Sequence, residues 1–310
     1  MLRQIAVAAT LVAALVSLVA VPANLSPGTK STLLSELGIG ARAQGMGGAC
    51  VAIADDADTL PYNAAGLAWF QDMRLTSTCE ARGGGYTYGS VAALLPGMGL
   101  GVQYFDFGDV SETDENGDVL GSFSYRSYSL LLGAGVSGAH LPILASFPAA
   151  DMIGVGILGK AEIVRTMAPG CGSGFAFDFS CLLRSPGLRG VPVVTGCSVG
   201  ALLSNVLSKP VEYKSGASEA WPKGVAIGGA VEFVERITVA ADARSDGSFA
   251  LGAEWRPTPS IAIRTGLSKN ELLLWSIGFG VRFKNMVMDM AVVPHPYLGS
   301  QVRVAFGIAW

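Results

Sequence analysis

The sequence predicts an all-β fold: a transmembrane antiparallel β-barrel of about fourteen strands with an N-terminal plug segment. Three observations predict it. The apolar residues alternate instead of clustering, the N-terminus reads as a secretory leader, and the chain ends on a bare strand face. The last is the most informative. Val302, Val304, Phe306, Ile308 and Trp310 share one face of a strand, while Arg303, Ala305, Gly307 and Ala309 share the other. Successive side chains of a strand point to opposite sides, so this is a period of two that runs to the last residue. In a soluble protein that face would stay wet on a fraying terminus. In a transmembrane barrel, lipid covers it.

Composition supports the same class. Of 310 residues, 50% are hydrophobic and 15% charged, and 41 are glycine; the mean hydropathy is +0.45. A helical membrane protein would need several apolar runs of about 20 residues. Only one run, residues 5–23, comes near that length. Residues 1–23 form the expected signal peptide, with Arg3 as its basic start, an apolar stretch, and Val21-Pro22-Ala23 as the cleavage site. An uncleaved anchor is the alternative. Cleavage removes Arg3 and takes the net charge from −3 to −4, which leaves no basic footprint and excludes nucleic acid as a partner.

The organisation that follows is a plug segment over 24–71 and a barrel over 72–310. The plug region is non-periodic, with a short helix expected to start near Asp58 or Pro61. Alternation then dominates. It is clearest at 224–233, 237–244, 249–256, 261–267, 273–283 and 286–290, and earlier strands are expected near Met73, Tyr86, Gly99, Phe123, Met152, Phe175 and Val193. Ser245-Asp246-Gly247, Pro257-Thr258-Pro259 and Ser268-Lys269-Asn270 supply turn chemistry between strands. Glu232, Asp242, Arg244, Glu254, Arg256, Arg264, Arg282, Asp289 and Arg303 all fall opposite the apolar stripe. Facing lipid, each would cost up to about 2–4 kcal/mol at mid-bilayer, so they are expected to face the lumen. Two readings stay open: an ion-pair network that fixes register, or a charged lining for a solute path.

Residues 40–68 carry a more specific signal. They read Gly-Ala-Arg-Ala-Gln-Gly-Met-Gly-Gly-Ala over 40–49, Ala-Asp-Asp-Ala over 54–57 and Tyr-Asn-Ala-Ala-Gly-Leu-Ala over 62–68. This resembles the N-terminal signature of the PorV/PorQ-type outer-membrane proteins, a group related to the FadL long-chain fatty-acid transporters. Asp178, the pair Asn205 and Pro222, and the stretch 289–299 with Asp289, Pro294, Leu298 and Gly299 extend the resemblance. Ala64 stands where the group has proline, and Trp310 where phenylalanine is usual.

The resemblance implies a segment tucked inside the barrel, with Gly45, Met46, Gly47, Gly48, Asp55, Asp56, Asn63 and Gly66 as its motif. Glycine allows close backbone approach, and Asp and Asn side chains hold turns and helix caps. Irregular backbone is tolerable inside a protein-lined lumen but not in lipid. The resemblance further implies the bacterial outer membrane, with its lipid and the barrel assembly machinery as partners. Val302, Val304, Phe306, Ile308 and Trp310 would be the assembly signal. The function implied is a conduit for small hydrophobic molecules such as fatty acids. The alternative is an accessory to secretion or surface attachment that binds secretion-system proteins.

Other motifs carry less. Cys50, Cys79, Cys171, Cys181 and Cys197 include no Cys-x-x-Cys pair and no Cys/His cluster, so no metal is expected. Cys181 and Cys197 lie equidistant from a turn at 186–190, which predicts that they face each other across a hairpin. A disulfide there, or two small apolar residues facing lipid, are the readings open. Residues 133–138 match Gly-x-Gly-x-x-Gly, yet no helix pattern follows, so no dinucleotide cofactor is expected. Residues 112–117 are acidic but lack the closing glutamate of a calcium loop, with Phe123 in its place. His140 and His295 sit beside prolines without a nucleophile motif, so no enzymatic activity is expected.

Overall fold

The alternating segments become strands, and the strands close. In the computed structural model, which describes residues 34–56, 59–82, 86–147, 149–166, 170–187, 191–297 and 299–310, these are β1 (Arg74–Arg82), β2 (Thr87–Leu95), β3 (Met98–Thr113), β4 (Val119–Ser137), β5 (Ile153–Arg165), β6 (Cys171–Ser185), β7 (Val194–Tyr213), β8 (Ser218–Glu219), β9 (Gly224–Phe233), β10 (Ile237–Arg244), β11 (Phe249–Thr258), β12 (Ile261–Lys269), β13 (Leu273–Phe283), β14 (Met286–Val293) and β15 (Gln301–Ala309). The leader expected over 1–23 lies outside the described residues.

Each strand pairs antiparallel with its neighbour in sequence, with one exception. β8 is a two-residue flap on the far end of β7, and β7 passes on to β9. β1 then meets β15 from Arg74↔Ala309 to Arg82↔Gln301. The wall is therefore a closed barrel of fourteen strands. Closure removes the unpaired strand edge that lipid could not satisfy. No described helix is long and apolar enough to cross a membrane.

The two faces differ as the alternation requires. Trp255, Trp275, Ile277, Phe279, Phe306 and Trp310 are exposed on the outside. Val302 and Val304, on the same face, are half-buried. The end at which β1 starts and β15 finishes is called here the lower end. Strands β3 to β7 run 13 to 20 residues, whereas β9 to β15 run 8 to 11. The wall is thus tall on one side and low on the other.

Residues 34–56 and 59–70 lie inside. They form 3-10 turns at Leu34–Leu37 and Ala64–Trp69 and short helices at Ala41–Gly45 and Thr59–Tyr62. The core is the contact between this inner segment and the wall. Ile39, Leu60, Leu67 and Phe70 pack on Ala92, Leu94, Leu131 and Leu158. Ala43, Met46, Ala49 and Ala52 pack on Ala230, Ala240 and Ala250. The wall side chains here are small because the segment's own backbone approaches the strands. A Cβ on Gly135 would lie 2.5 Å from the Ala64 carbonyl oxygen, and one on Gly156, Gly200 or Gly266 would collide with the backbone of Ala65, Val51 or Gly47.

One expectation fails. Cys181 is opposite Ala201, and Cys197 is opposite Ser185. The hairpin is centred two residues further along than its turn residues suggested, which moves the partner by four positions. No disulfide joins the five cysteines. The acidic stretch at 112–117 spans the end of β3 and an exposed turn, in which Asp114 accepts from the backbone N–H groups of Asn116 and Asp118 at 2.9 Å each.

Candidate functional site

The inner segment is held by a set of polar contacts, four of them made by Arg42. It projects from the helix Ala41–Gly45. Its Nε and Nη2 donate to Glu254 of β11 at 2.9 and 3.1 Å, and its Nη1 donates to Asp55 at 2.5 Å and Asp56 at 2.7 Å. A planar guanidinium suits this task because its fork meets a carboxylate edge-on. The network continues into the wall: Arg264 donates to Glu254 at 2.6 Å and to Asp289 at 2.5 Å, and Arg256 donates to Glu232 at 2.8 Å. Burial pulls the Arg42 guanidinium down, but Asp55, Glu254 and Asp56 outweigh it and hold it well above its ordinary value. Burial pushes the Asp56 carboxyl up, against the opposing pull of Arg42.

Two other residues fix the segment's irregular backbone. Asp242 of β10, fully buried, accepts from the N–H groups of Cys50 at 2.8 Å and Val51 at 3.0 Å. Asn63 caps the turn Ala64–Trp69 by accepting from the Ala65 N–H at 3.1 Å, and its amide donates to the carbonyls of Val51 at 2.7 Å and Cys181 at 3.1 Å. Gly47 and Gly48 take positive φ values of 67° and 84°, where a Cβ would be strained. Gly66 lies tight against Ala54 and Thr59, and Met46 is buried against Gly252.

The leading end of the segment is held by β1, β2, β5 and β15. Glu80 of β1 and Arg303 of β15 pair at 2.6 Å, and Arg303 donates to the Gly40 carbonyl at 3.2 Å. Tyr88 donates to the Gly38 carbonyl at 2.5 Å, and Glu162 accepts from the Leu34 N–H at 2.8 Å. Higher up, Asp178 of β6 pairs with Lys160 at 3.0 Å and accepts from the Asn205 N–H at 2.7 Å. Asn205 itself has φ 56° and donates to the Pro222 carbonyl at 2.6 Å. This is where β7 bends away from β9, whose pairing ends at Ser204↔Gly224.

Of the charged residues expected to face the lumen, Glu232, Glu254, Arg256, Arg264, Arg282 and Asp289 line cavities at the lower end. One of about 690 Å³ runs from Arg42 to Trp310, and one of about 290 Å³ lies between Ile53 and Glu232. Asp242 and Arg303 are buried against the segment, and Arg244 stands half-buried at the upper end of β10. The network form of the lumen charges is therefore present, and its lower edge also lines open space. Sequence reading missed Arg42, Glu80, Tyr88, Lys160 and Glu162. Arg42 lies inside the motif, and its place before two aspartates was the available signal. The others sit in strands whose alternation is weaker. Among the described residues, no group of three or more His, Cys, Asp or Glu is arranged to hold a metal ion.

Above the segment the bore is aromatic. Tyr86, Phe105, Phe107 and Tyr125 pack together at centroid distances of 5.0 to 6.3 Å, Tyr86 and Phe107 stacked and the other pairs tilted or edge-on. Tyr125 also packs on Val164, Ala176, Val211 and the buried Trp221.

The barrel fold has counterparts among solved structures. The toluene transporter TbuX of Ralstonia pickettii matches with a TM-score of 0.58 at 13% identity, over 88% of this chain and 98% of that one. The toluene transporter TodX of Pseudomonas putida matches with a TM-score of 0.58 at 12% identity, over 90% and 99%. The monoaromatic hydrocarbon channel CymD matches with a TM-score of 0.58 at 14% identity, over 88% and 97%. The fold is shared with these transporter barrels. No protein-family model and no curated protein matches the chain, so the PorV/PorQ resemblance stands on its motifs alone.

Proposed function

We propose that this protein is an outer-membrane conduit for small hydrophobic molecules, closed by residues 34–70 acting as a plug. The observation that carries the reading is how the bore is closed. A separate segment fills it, held by ion pairs and hydrogen bonds through Arg42, Asp242 and Asn63. Water can replace such contacts one at a time. The aromatic rings above it offer apolar surface to a cargo, and the three neighbours of like fold are named for toluene or monoaromatic hydrocarbons. Fatty acids are the cargo the FadL resemblance suggests.

In this mechanism, cargo collects on Tyr86, Phe105 and Tyr125. The Arg42 contacts to Glu254 and the two aspartates then open, and the segment shifts far enough to join the upper bore to the lower cavities. The second reading, an accessory that binds secretion-system proteins, draws on the motif at 40–68. Uptake separates the two. Liposomes carrying the purified barrel should take up labelled fatty acid or toluene faster than empty ones, and Arg42→Ala should raise the rate further. Uptake equal to that of empty liposomes for both cargoes would end the conduit reading.

A further inference from the structure

We infer that residues 138–147 and 149–150, in the connection between β4 and β5 at the lower end, are a membrane anchor that lies in the headgroup–acyl boundary of the adjacent leaflet. The inference rests on the membrane-barrel reading.

The stretch reads Gly-Ala-His-Leu-Pro-Ile-Leu-Ala-Ser-Phe-Pro-Ala-Ala and contains no Asp, Glu, Lys or Arg. Ile143 is 85% exposed and Phe147 58% exposed. No other large hydrophobic side chain among the described residues is as exposed as Ile143. Of the other connections at this end, 96–97 and 259–260 are uncharged two-residue turns, and 234–236 and 284–285 are short and carry Glu235, Arg236 and Lys284. The connection 186–193 is eight residues with one arginine, so none combines this length with an absence of charge. A turn that merely reverses the chain needs neither this length nor this composition.

The loop is folded. Leu141 donates to the Gly138 carbonyl, Leu144 and Ala145 to that of Leu141, Phe147 to that of Leu144 and Ala150 to that of Phe147, all at 2.8 to 3.1 Å. Its base is closed by Gly138 against Ala150 and by the Trp69 indole N–H on the Asp151 carbonyl at 3.3 Å. Internal bonding matters because backbone groups left bare would oppose entering an apolar layer. Above the base lies the apolar outer band of the wall. Leu130, Leu132 and Val136 of β4 and Ile157 of β5 are exposed on the outer face, and the loop begins where that face ends. An uncharged, internally bonded turn with two large apolar side chains next to the lipid-facing band has the chemistry of an interfacial segment. In water the same side chains would expose apolar surface with nothing gained.

The test is Phe147→Trp in the full chain, reconstituted into liposomes with and without brominated acyl chains. The outward Trp255 and Trp275 report insertion in the unmodified protein. Brominated lipid should quench them, and it should also quench the added emission at 147, which should be blue-shifted and insensitive to aqueous acrylamide. If Trp255 and Trp275 are quenched while the added emission yields to acrylamide and not to brominated lipid, the anchor is wrong and the barrel stands. Protection from both quenchers would also overturn it, since the loop would then pack on protein. If brominated lipid quenches none of them, the membrane reading and the anchor fall together. Ile143→Asp with Phe147→Asp gives a second measurement. Both side chains are exposed, so the barrel should still fold, and exchange of the loop's amides in liposomes should rise.

Discussion

Arg42 makes four hydrogen bonds to three carboxylates, and Glu254 shares its two oxygens between Arg42 and Arg264. Removing one partner of such a set leaves the others facing an unneutralised charge, which costs more than the pair is worth in water. Arg42→Ala should therefore destabilise the docked state by about 3 kcal/mol, near the low end for a buried pair because Asp55 is half in water. The readout is a lower temperature for the gel-mobility shift between folded and boiled forms. Glu254→Gln added to Arg42→Ala should cost less than the sum of the two singles. Asn205 separates two effects. Asn205→Ala loses the bond to Pro222 and places alanine at φ 56°, for a loss of about 2 kcal/mol. Asn205→Gly keeps the backbone conformation and should lose about 1 kcal/mol. Urea unfolding in detergent micelles would rank the two, and equal losses would show that the backbone term is absent.

The glycines of the inner wall mark where one piece of backbone lies on another. On β12, a side chain at Gly266 would run into Met46 and Gly47, and on β5 one at Gly156 would run into Ala64 and Ala65. Gly266→Val should thus cost about 1–3 kcal/mol or more, spent in displacing the segment. The strands have no reason to open, since their ladder bonds are untouched. The expected result is a protein that keeps its β-sheet circular dichroism and its gel shift but is cut by protease within 34–70. Resistance to cleavage equal to that of the unmodified protein would mean that the segment tolerates the added bulk. The fold accommodates the segment with small residues on strands that are otherwise apolar outside and polar inside.

For the molecule as a whole, the lipid-facing surface sets the largest energy scale. Ile277 lies near the middle of β13 on the outer face and is 52% exposed. Ile277→Arg should lower the stability of the barrel in liposomes by about 2–4 kcal/mol if that position lies at mid-bilayer. In water-like detergent headgroup surroundings the loss should shrink. A loss that does not depend on acyl-chain thickness would contradict the orientation of the outer face. Inside, Glu80, Glu254, Arg264, Asp289 and Arg303 meet opposite charges, and Asp242 meets backbone N–H groups of the inner segment.

The strand pattern was legible because period two needs no information beyond neighbours in sequence. Every segment expected from 224 onward became a strand, and the seven earlier positions fell at or beside β1 to β7. The same alternation is the ground for expecting the charged residues on the inner face, since lipid penalises the other side. The short helix expected to start near Asp58 or Pro61 begins at Thr59 but stops at Tyr62, and Asn63 caps a separate 3-10 turn over Ala64–Trp69. What local pattern did not contain is any distance between elements. The register of β6 on β7 depends on where the hairpin bends, so Cys181 and Cys197 were paired wrongly. Arg42 reaches Glu254, 212 positions away in the chain, only because the helix Ala41–Gly45 lies against the neighbouring strands β12 to β15. The glycine-lined wall, the bend at Asn205 tied to Asp178 and Pro222, and the closure of β1 on β15 are likewise products of packing. Alternation assigns each side chain to a face. Which groups meet across the lumen is set by strand number, stagger and the segment that fills the space.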